Sequence, residues 1–328
     1  MAANDQKLRT LCLMQILLEE TDEDHILNAS QLIQQLKMKY DMDADRRTIY
    51  SDIEVLGRFG ISIQQLRGKT PGYYVDSRAF ELAELKLLVD AVQSSKFITE
   101  KKTRVLIRKL ETLCSKSQAE QLSREVLLSN RPKTKNETIY YNVDYIHTAM
   151  FQNRQITFQY AEWTTKVELR PKKNGTFYEV SPWRLTWDNE NYYLIAYDGE
   201  AEKIKHYRVD KMQKMQILDK ERRGQEAFDA NNLTAFGKKT FGMFGGEDRE
   251  VTLLCSNELA GVVIDRFGQD IWMIPEGADH FKAKVMVTIS PQFFGWVTGI
   301  GNKMKIAEPQ DVQDKYLAYV RSIMDCYQ

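Results

Sequence analysis

The sequence predicts a multidomain α+β protein, and three observations predict it. At 328 residues the chain exceeds one typical domain, and two or three are expected. Its first third carries amphipathic helical patterns that end in a short pair of strands. Its middle turns to short strands dense in aromatic and β-branched residues, and a βαββαβ pattern closes the chain. The boundaries drawn from these shifts are 1–78, 79–141, 142–222 and 248–328.

Composition excludes several classes. Lys+Arg and Asp+Glu are both 46, so any nucleic-acid site must be local rather than a whole-chain field. The cysteines (Cys12, Cys114, Cys255, Cys326) lie far apart with no Cys-x-x-Cys pair, which predicts neither structural zinc nor a disulfide framework. The histidines show no ligand-like spacing, and no metal or cofactor is expected. No signal peptide opens the sequence, and the apolar run Leu11–Leu18, interrupted by Gln15, is too short for a bilayer. The expectation is a cytoplasmic protein without a membrane partner.

Lys7–Glu20 reads as a first helix. Asn28, with Gln31 in capping-box spacing, starts a second that buries Leu32, Ile33, Leu36 and Tyr40. Asp43 or Asp45 caps a third, whose buried stripe is Ile49, Ile53 and Leu56. Arg46, Arg47, Tyr50, Ser51 and Glu54 fall on its other faces. Gly60 ends that helix, Ile61–Leu66 and Tyr73–Val75 read as strands, and Arg67–Gly72 is a basic turn between them.

Three helices and a hairpin make the winged helix-turn-helix order, in which the third helix enters the DNA major groove. The run Asp45–Ile53 resembles the recognition helix of DeoR-like regulators, and Gly72-Tyr73-Tyr74 fits the wing of that pattern. The DNA-binding candidates are Arg46, Arg47, Thr48, Tyr50, Ser51, Arg67 and Lys69. Between Arg46 and Gly72 five basic residues face two acidic ones, Asp52 and Glu54, a balance that suits phosphate contact.

Phe80–Phe97, Glu100–Leu113 and Ala119–Leu127 read as linker helices with a packing role, and the polar stretch Ser129–Thr138 as a hinge. Helix Val143–Phe151 leads into strands Ile156–Tyr160 and Lys166–Leu169. Three more strands centre on Ser181–Trp187, Tyr192–Tyr197 and Ile204–Val209, and Met215–Leu218 follows. Regular alternation places Tyr207 and Val209 on one face of their strand, and His206, Arg208 and Asp210 on the other.

Pro182, Leu185, Tyr193-Leu194, Ala196-Tyr197-Asp198 and Tyr207-Arg208-Val209-Asp210 together resemble the signature of the WYL domain. Tyr192 stands where the naming Trp-Tyr-Leu has its tryptophan. The resemblance implies a small Sm-like β-barrel of bacterial transcriptional regulators that senses a nucleotide or nucleic-acid effector. Tyr178, Ser181, Arg184, Tyr193, His206 and Arg208 are the effector-binding candidates. Arginine offers a planar fork for phosphate, and an aromatic ring stacks on a base.

The segment Leu233–Gly246 takes no assignment. Beyond it come strand Glu250–Cys255, helix Glu258–Phe267, strand Ile271–Ile274, strand Lys282–Ile289, helix Pro291–Gly299, strand Met304–Ile306 and helix Pro309–Tyr327. This is a ferredoxin-like order. With Trp296 it also resembles the WCX extension of WYL regulators, which implies dimerisation or effector closure.

Serine-hydrolase, zincin and P-loop motifs are all missing, so an enzyme is not expected. The leading expectation is a homodimeric regulator of a double-stranded DNA operator, switched by a nucleotide or nucleic-acid effector. The alternative is an RNA- or single-strand-binding accessory protein that uses the barrel as its main site.

Overall fold

The computed structural model describes residues 3–68, 71–122, 133–134, 136–188, 190–229 and 246–328. They fall into two compact units, Met1–Glu137 and Thr138–Gln328. The segment Leu233–Gly246 lies outside the described residues except for its last glycine, and so do the carboxy-terminal end of the third linker helix and half of the hinge.

In the amino-terminal unit α1 (Ala3–Glu20), α2 (Ala29–Tyr40) and α3 (Arg46–Phe59) pack around Leu13, Ile16, Leu32, Leu36, Ile49 and Leu56. The caps follow from sequence. Asn28 and Gln31 form a reciprocal capping box on α2, with bonds of 3.0 and 2.8 Å. Of the two acidic candidates it is Asp45 that caps α3, accepting from the Thr48 amide at 2.8 Å. Gly60, at φ 108°, stops the helix in the left-handed region.

The polar residue Asp52 lies on the buried side of α3. It accepts from Arg9 Nε of α1 at 2.8 Å and from Thr10 Oγ1 at 2.9 Å, with both charged side chains only 6% exposed. A buried pair of this kind fixes the helix, because removing one partner of a buried ion pair is strongly destabilising.

β1 (Ile63–Leu66) pairs antiparallel with β2 (Gly72–Val75), Ile63 opposite Val75 and Leu66 opposite Gly72. The hairpin is tied to the start of α2 by two backbone bonds between Leu27 and Tyr73. A Cβ on Gly72 would stand 3.0 Å from the Leu27 backbone, a tight contact that glycine avoids. α4 (Leu82–Ser94), α5 (Glu100–Glu111) and α6 (Lys116–Leu122) enclose Leu85, Val89, Cys114 and Leu122. They belong to the same unit: Ser115 Oγ donates to Asp22, and Lys116 pairs with Glu20.

The second unit opens with α7 (Thr138–Phe151), five residues earlier than its sequence pattern indicates. It then lays down β3 (Arg154–Trp163), β4 (Leu169–Pro171), β5 (Phe177–Asp188), β6 (Asn191–Asp198), β7 (Lys203–Arg208) and β8 (Met212–Glu221). These make a six-stranded sheet in which β3 pairs with β4, β5 and β8, and β5-β6-β7 continue outward. The expected Sm-like barrel is not closed: among the described residues no ladder joins β7 to β8. Val209–Lys211 turns as a 3-10 helix instead of a hairpin, which takes the two strands apart. One face packs on α7, with Asn142 Nδ2 donating to the Met212 carbonyl at 2.8 Å.

Asp198 ends β6 with four bonds. Its Oδ1 accepts from the Glu200 and Ala201 amides, and its Oδ2 from Lys205 Nζ and the Tyr207 hydroxyl. Burial raises the Asp198 pKa, but these donors outweigh it and hold the carboxyl below its ordinary range.

A short α8 (Gln225–Asp229) leaves the sheet. Then β9 (Asp248–Ser256), α9 (Ala260–Phe267), β10 (Trp272–Glu276), β11 (His280–Thr288), α10 (Pro291–Ile300), β12 (Met304–Glu308) and α11 (Gln310–Asp325) follow. The four strands run β10-β11-β9-β12, all antiparallel. Alternation turns Val251, Leu253, Ala283, Val285 and Ile306 inward against Val263, Phe267, Phe293 and Val297 of the helices.

Candidate functional site

Two surfaces, one in each unit, carry the candidate residues. On α3 the register of buried Ile49, Asp52 and Leu56 leaves Arg46, Arg47, Tyr50 and Ser51 outward, and all four are exposed. Thr48 is spent locally, its hydroxyl donating to the capping Asp45 at 2.7 Å. Arg46 Nη2 donates to Ser30 Oγ of α2 at 3.1 Å. Tyr50 lies beside Tyr73 of the hairpin, with ring centroids 6.3 Å apart. Arg67 is exposed on the hairpin, and Lys69 lies outside the described residues.

Of the two acids in this stretch, Asp52 is buried against Arg9 and Glu54 pairs with Arg58. Among the described residues no ion pair neutralises Arg46, Arg47 or Arg67. At the head of the helix, bonds from Thr48 hold the Asp45 carboxyl below its ordinary range, and the charge of Arg47 adds to that effect.

On the six-stranded sheet, cross-strand register decides which candidates meet. Tyr193 faces Arg208 and Thr186, Ile195 faces His206 and Arg184, and Tyr197 faces Ser181 and Ile204. A bulge between Pro182 and Arg184 turns Ser181 and Arg184 to the same side, which strict alternation would separate. Ser181, Arg184, Tyr193, His206 and Arg208 thus share one face. Tyr178 does not join them. It lies on the opposite face, stacked on Phe158 at 5.7 Å and edge-on to Tyr160 and Tyr207.

Arg208 is held from two directions. Its Nε and Nη2 bind Asp210 at 3.0 and 2.8 Å, and Nη2 also donates to Asn191 Oδ1 at 2.8 Å. The bonds to Asp210 raise its pKa, with burial opposing. Burial lowers the pKa of His206, which makes the neutral ring its resting form at neutral pH. Tyr193 is nearly buried, and burial raises its pKa against the pull of Arg208. Arg184 stands exposed near the bulge.

Several contributors were not evident from sequence. Asn191, at the start of β6, supplies the side-chain carbonyl oxygen that accepts from Arg208. The chain after β8 returns across the face: the Arg223 amide donates to Ser181 Oγ at 2.9 Å, and Arg222 lies 4.2 Å over the Trp183 ring. Phe228 of α8 stacks on Trp183 and packs against Tyr193 and Ile195. Gly224 passes so close to Tyr197 that a Cβ would fall 2.1 Å from its ring.

A cleft of about 340 Å³ brings Tyr178 and Ser181 together with Arg223, but Glu179, Asp198 and Glu200 line it too. Three carboxylates make it a poor place for an anion. Among the described residues no group of three His, Cys, Asp or Glu side chains is placed to hold a metal. No described helix is long and apolar enough to cross a membrane.

Residues 142–217 match the family model of the WYL domain. No curated protein matches the chain. Among solved structures, the proteasome accessory factor B/C (PafBC) of Arthrobacter aurescens aligns at 17% identity and a TM-score of 0.28, over 99% of this chain and 49% of that one. The chain thus spans about half the length of that relative. A CRISPR Cas-related protein aligns at 14% identity and a TM-score of 0.37, covering 99% of this chain and 81% of that one.

Proposed function

We propose that this chain is an effector-responsive, DNA-binding transcriptional regulator. The observation that carries the proposal is α3: a helix pinned from behind by a buried ion pair, with exposed arginines on its outer face that make no close ion pair among the described residues. Such a surface takes its counter-charge from phosphate. Three helices followed by a hairpin support a winged helix-turn-helix, with Arg46, Arg47, Tyr50, Ser51, Arg67 and Lys69 toward DNA.

The WYL match at residues 142–217 supports a sensing role for the second unit. Ser181, Arg184, Tyr193, His206 and Arg208 form its effector face, and a nucleotide or nucleic-acid end is the ligand class that arginine and aromatic rings suit. The βαββαβ region acts in the manner of a WCX extension, holding a homodimer that reads two half-sites. The chain is assigned no catalysis.

The test is fluorescence anisotropy against duplex DNA from just upstream of the gene, with a scrambled duplex and a matching single strand, across a salt series. A preference for the native duplex of roughly a thousandfold at physiological salt is the expected result. A clear preference for the single strand would instead support the accessory protein that binds RNA or single strands.

A further inference from the structure

We infer that the cleft between α2, α3 and β2 grips a backbone phosphate of duplex DNA through Arg46, and that the neighbouring stripe, Arg47 and Ser51, faces the bases. This rests on the DNA-reading role proposed above and divides the residues of that surface between two tasks.

The cleft has a volume of about 310 Å³, and its polar side chains are Asn28, Ser30, Arg46, Tyr50, Gln65 and Tyr73. No carboxylate lines it. Arg46 is seated by a neutral hydroxyl, so its charge stays available. Ser30 Oγ accepts from Arg46 and keeps its own proton to donate. Gln65 Nε2 donates to the Tyr73 hydroxyl at 3.2 Å, which likewise leaves the phenol proton for another acceptor. Asn28 is already committed to the α2 capping box, so the site is made by converging side-chain donors and not by a bare helix end. Converging donors around one arginine are what a tetrahedral oxyanion needs.

The cleft is also preformed. Leu27 and Tyr73 exchange two backbone bonds, at 3.1 and 2.8 Å, and Gly72 lets the strands close up, which sets the spacing between hairpin and α2. Within α3 the division follows helical period. Arg46 and Tyr50 are four apart and line the cleft; Arg47 and Ser51 are four apart on the adjacent stripe. A phosphate contact fixes register without reading sequence, whereas base edges are read by side chains inserted in the groove.

The experiment uses the full chain and a duplex selected by the wild-type protein from a random pool, beside a scrambled duplex. Arg46→Ala is expected to weaken both to the same degree and to reduce the slope of log K against log salt by about 0.9. Ser30→Ala should give a smaller loss, also equal on the two duplexes. Arg47→Ala should instead cut discrimination between them by about tenfold or more. If Arg46→Ala narrows discrimination and leaves the salt slope unchanged, the phosphate cleft is overturned while DNA reading stands. If the wild-type chain binds no duplex, both readings fall.

Discussion

The outer face of α3 and the arginine-bearing face of the six-stranded sheet treat positive charge in opposite ways. On α3, Arg46 rests on a serine hydroxyl, and Arg47 makes no ion pair among the described residues. On the sheet, Arg208 is clamped by Asp210 and Asn191. A surface that meets a polyanion gains by leaving its cations without internal partners, because counterions released from the polymer supply the driving force. A surface that must respond to one ligand gains by holding its cation in a defined geometry until a better partner arrives. Under the proposed function, the difference separates constitutive grip from conditional binding.

Four experiments would break or sharpen that contrast. The largest effect is expected for Asp52→Ala, which removes from the amino-terminal core the buried carboxylate that accepts from Arg9 and Thr10. It should cost about 3–5 kcal/mol, read as a lowered urea midpoint. A loss under 1 kcal/mol would mean α3 is not pinned by that pair. Next, Arg208→Ala should abolish the effector response while operator binding stays intact. Loss of both together in a folded protein would erase the division between the two faces.

Asp210→Asn removes the internal competitor for Arg208. It should tighten binding of a short 5′-phosphorylated oligonucleotide by about tenfold, the equivalent of one charge-assisted bond. Unchanged or weaker binding would show that Asp210 supports the site and does not restrain it. The smallest effect concerns His206. Because burial lowers its folded pKa, the unfolded chain binds that proton first as pH falls. Stability should therefore decline as pH drops below about 6.5, the unperturbed histidine value, and His206→Gln should flatten that decline. An identical pH profile in the variant would place the ring in contact with solvent.

Local rules made much of this legible. The Asn28–Gln31 box, the aspartate cap of α3 and the Gly60 stop all depend on residues within a turn of each other. Alternation along β7 put Tyr207 on the face opposite His206 and Arg208, whereas Asp210 reaches Arg208 from the 3-10 turn beyond the strand end. What escaped the sequence was set by partners far along the chain. Asp52 reads as a surface acid until Arg9, 43 positions away, is folded against it. The bulge at Pro182–Arg184, which a proline inside a paired strand favours, decides that Ser181 and Arg184 share a face. Tyr178 is three residues before Ser181 with no bulge between them, so it turns the other way. The open edge between β7 and β8 depends on the 3-10 turn at Val209–Lys211, which the strand pattern did not announce.

The Arg208–Asp210 pair also sets a threshold. A carboxylate two residues along the same chain meets the guanidinium at an effective concentration of about millimolar or more. Chloride or a lone phosphate, engaging only one end of the fork, has to exceed that local concentration to displace it. A ligand that offers several contacts at once, stacking on an aromatic while it binds Arg208 and Arg184, escapes the limit by spreading the exchange over more than one bond. Under the proposed sensing role, such a face ignores dilute simple anions and registers multidentate ones.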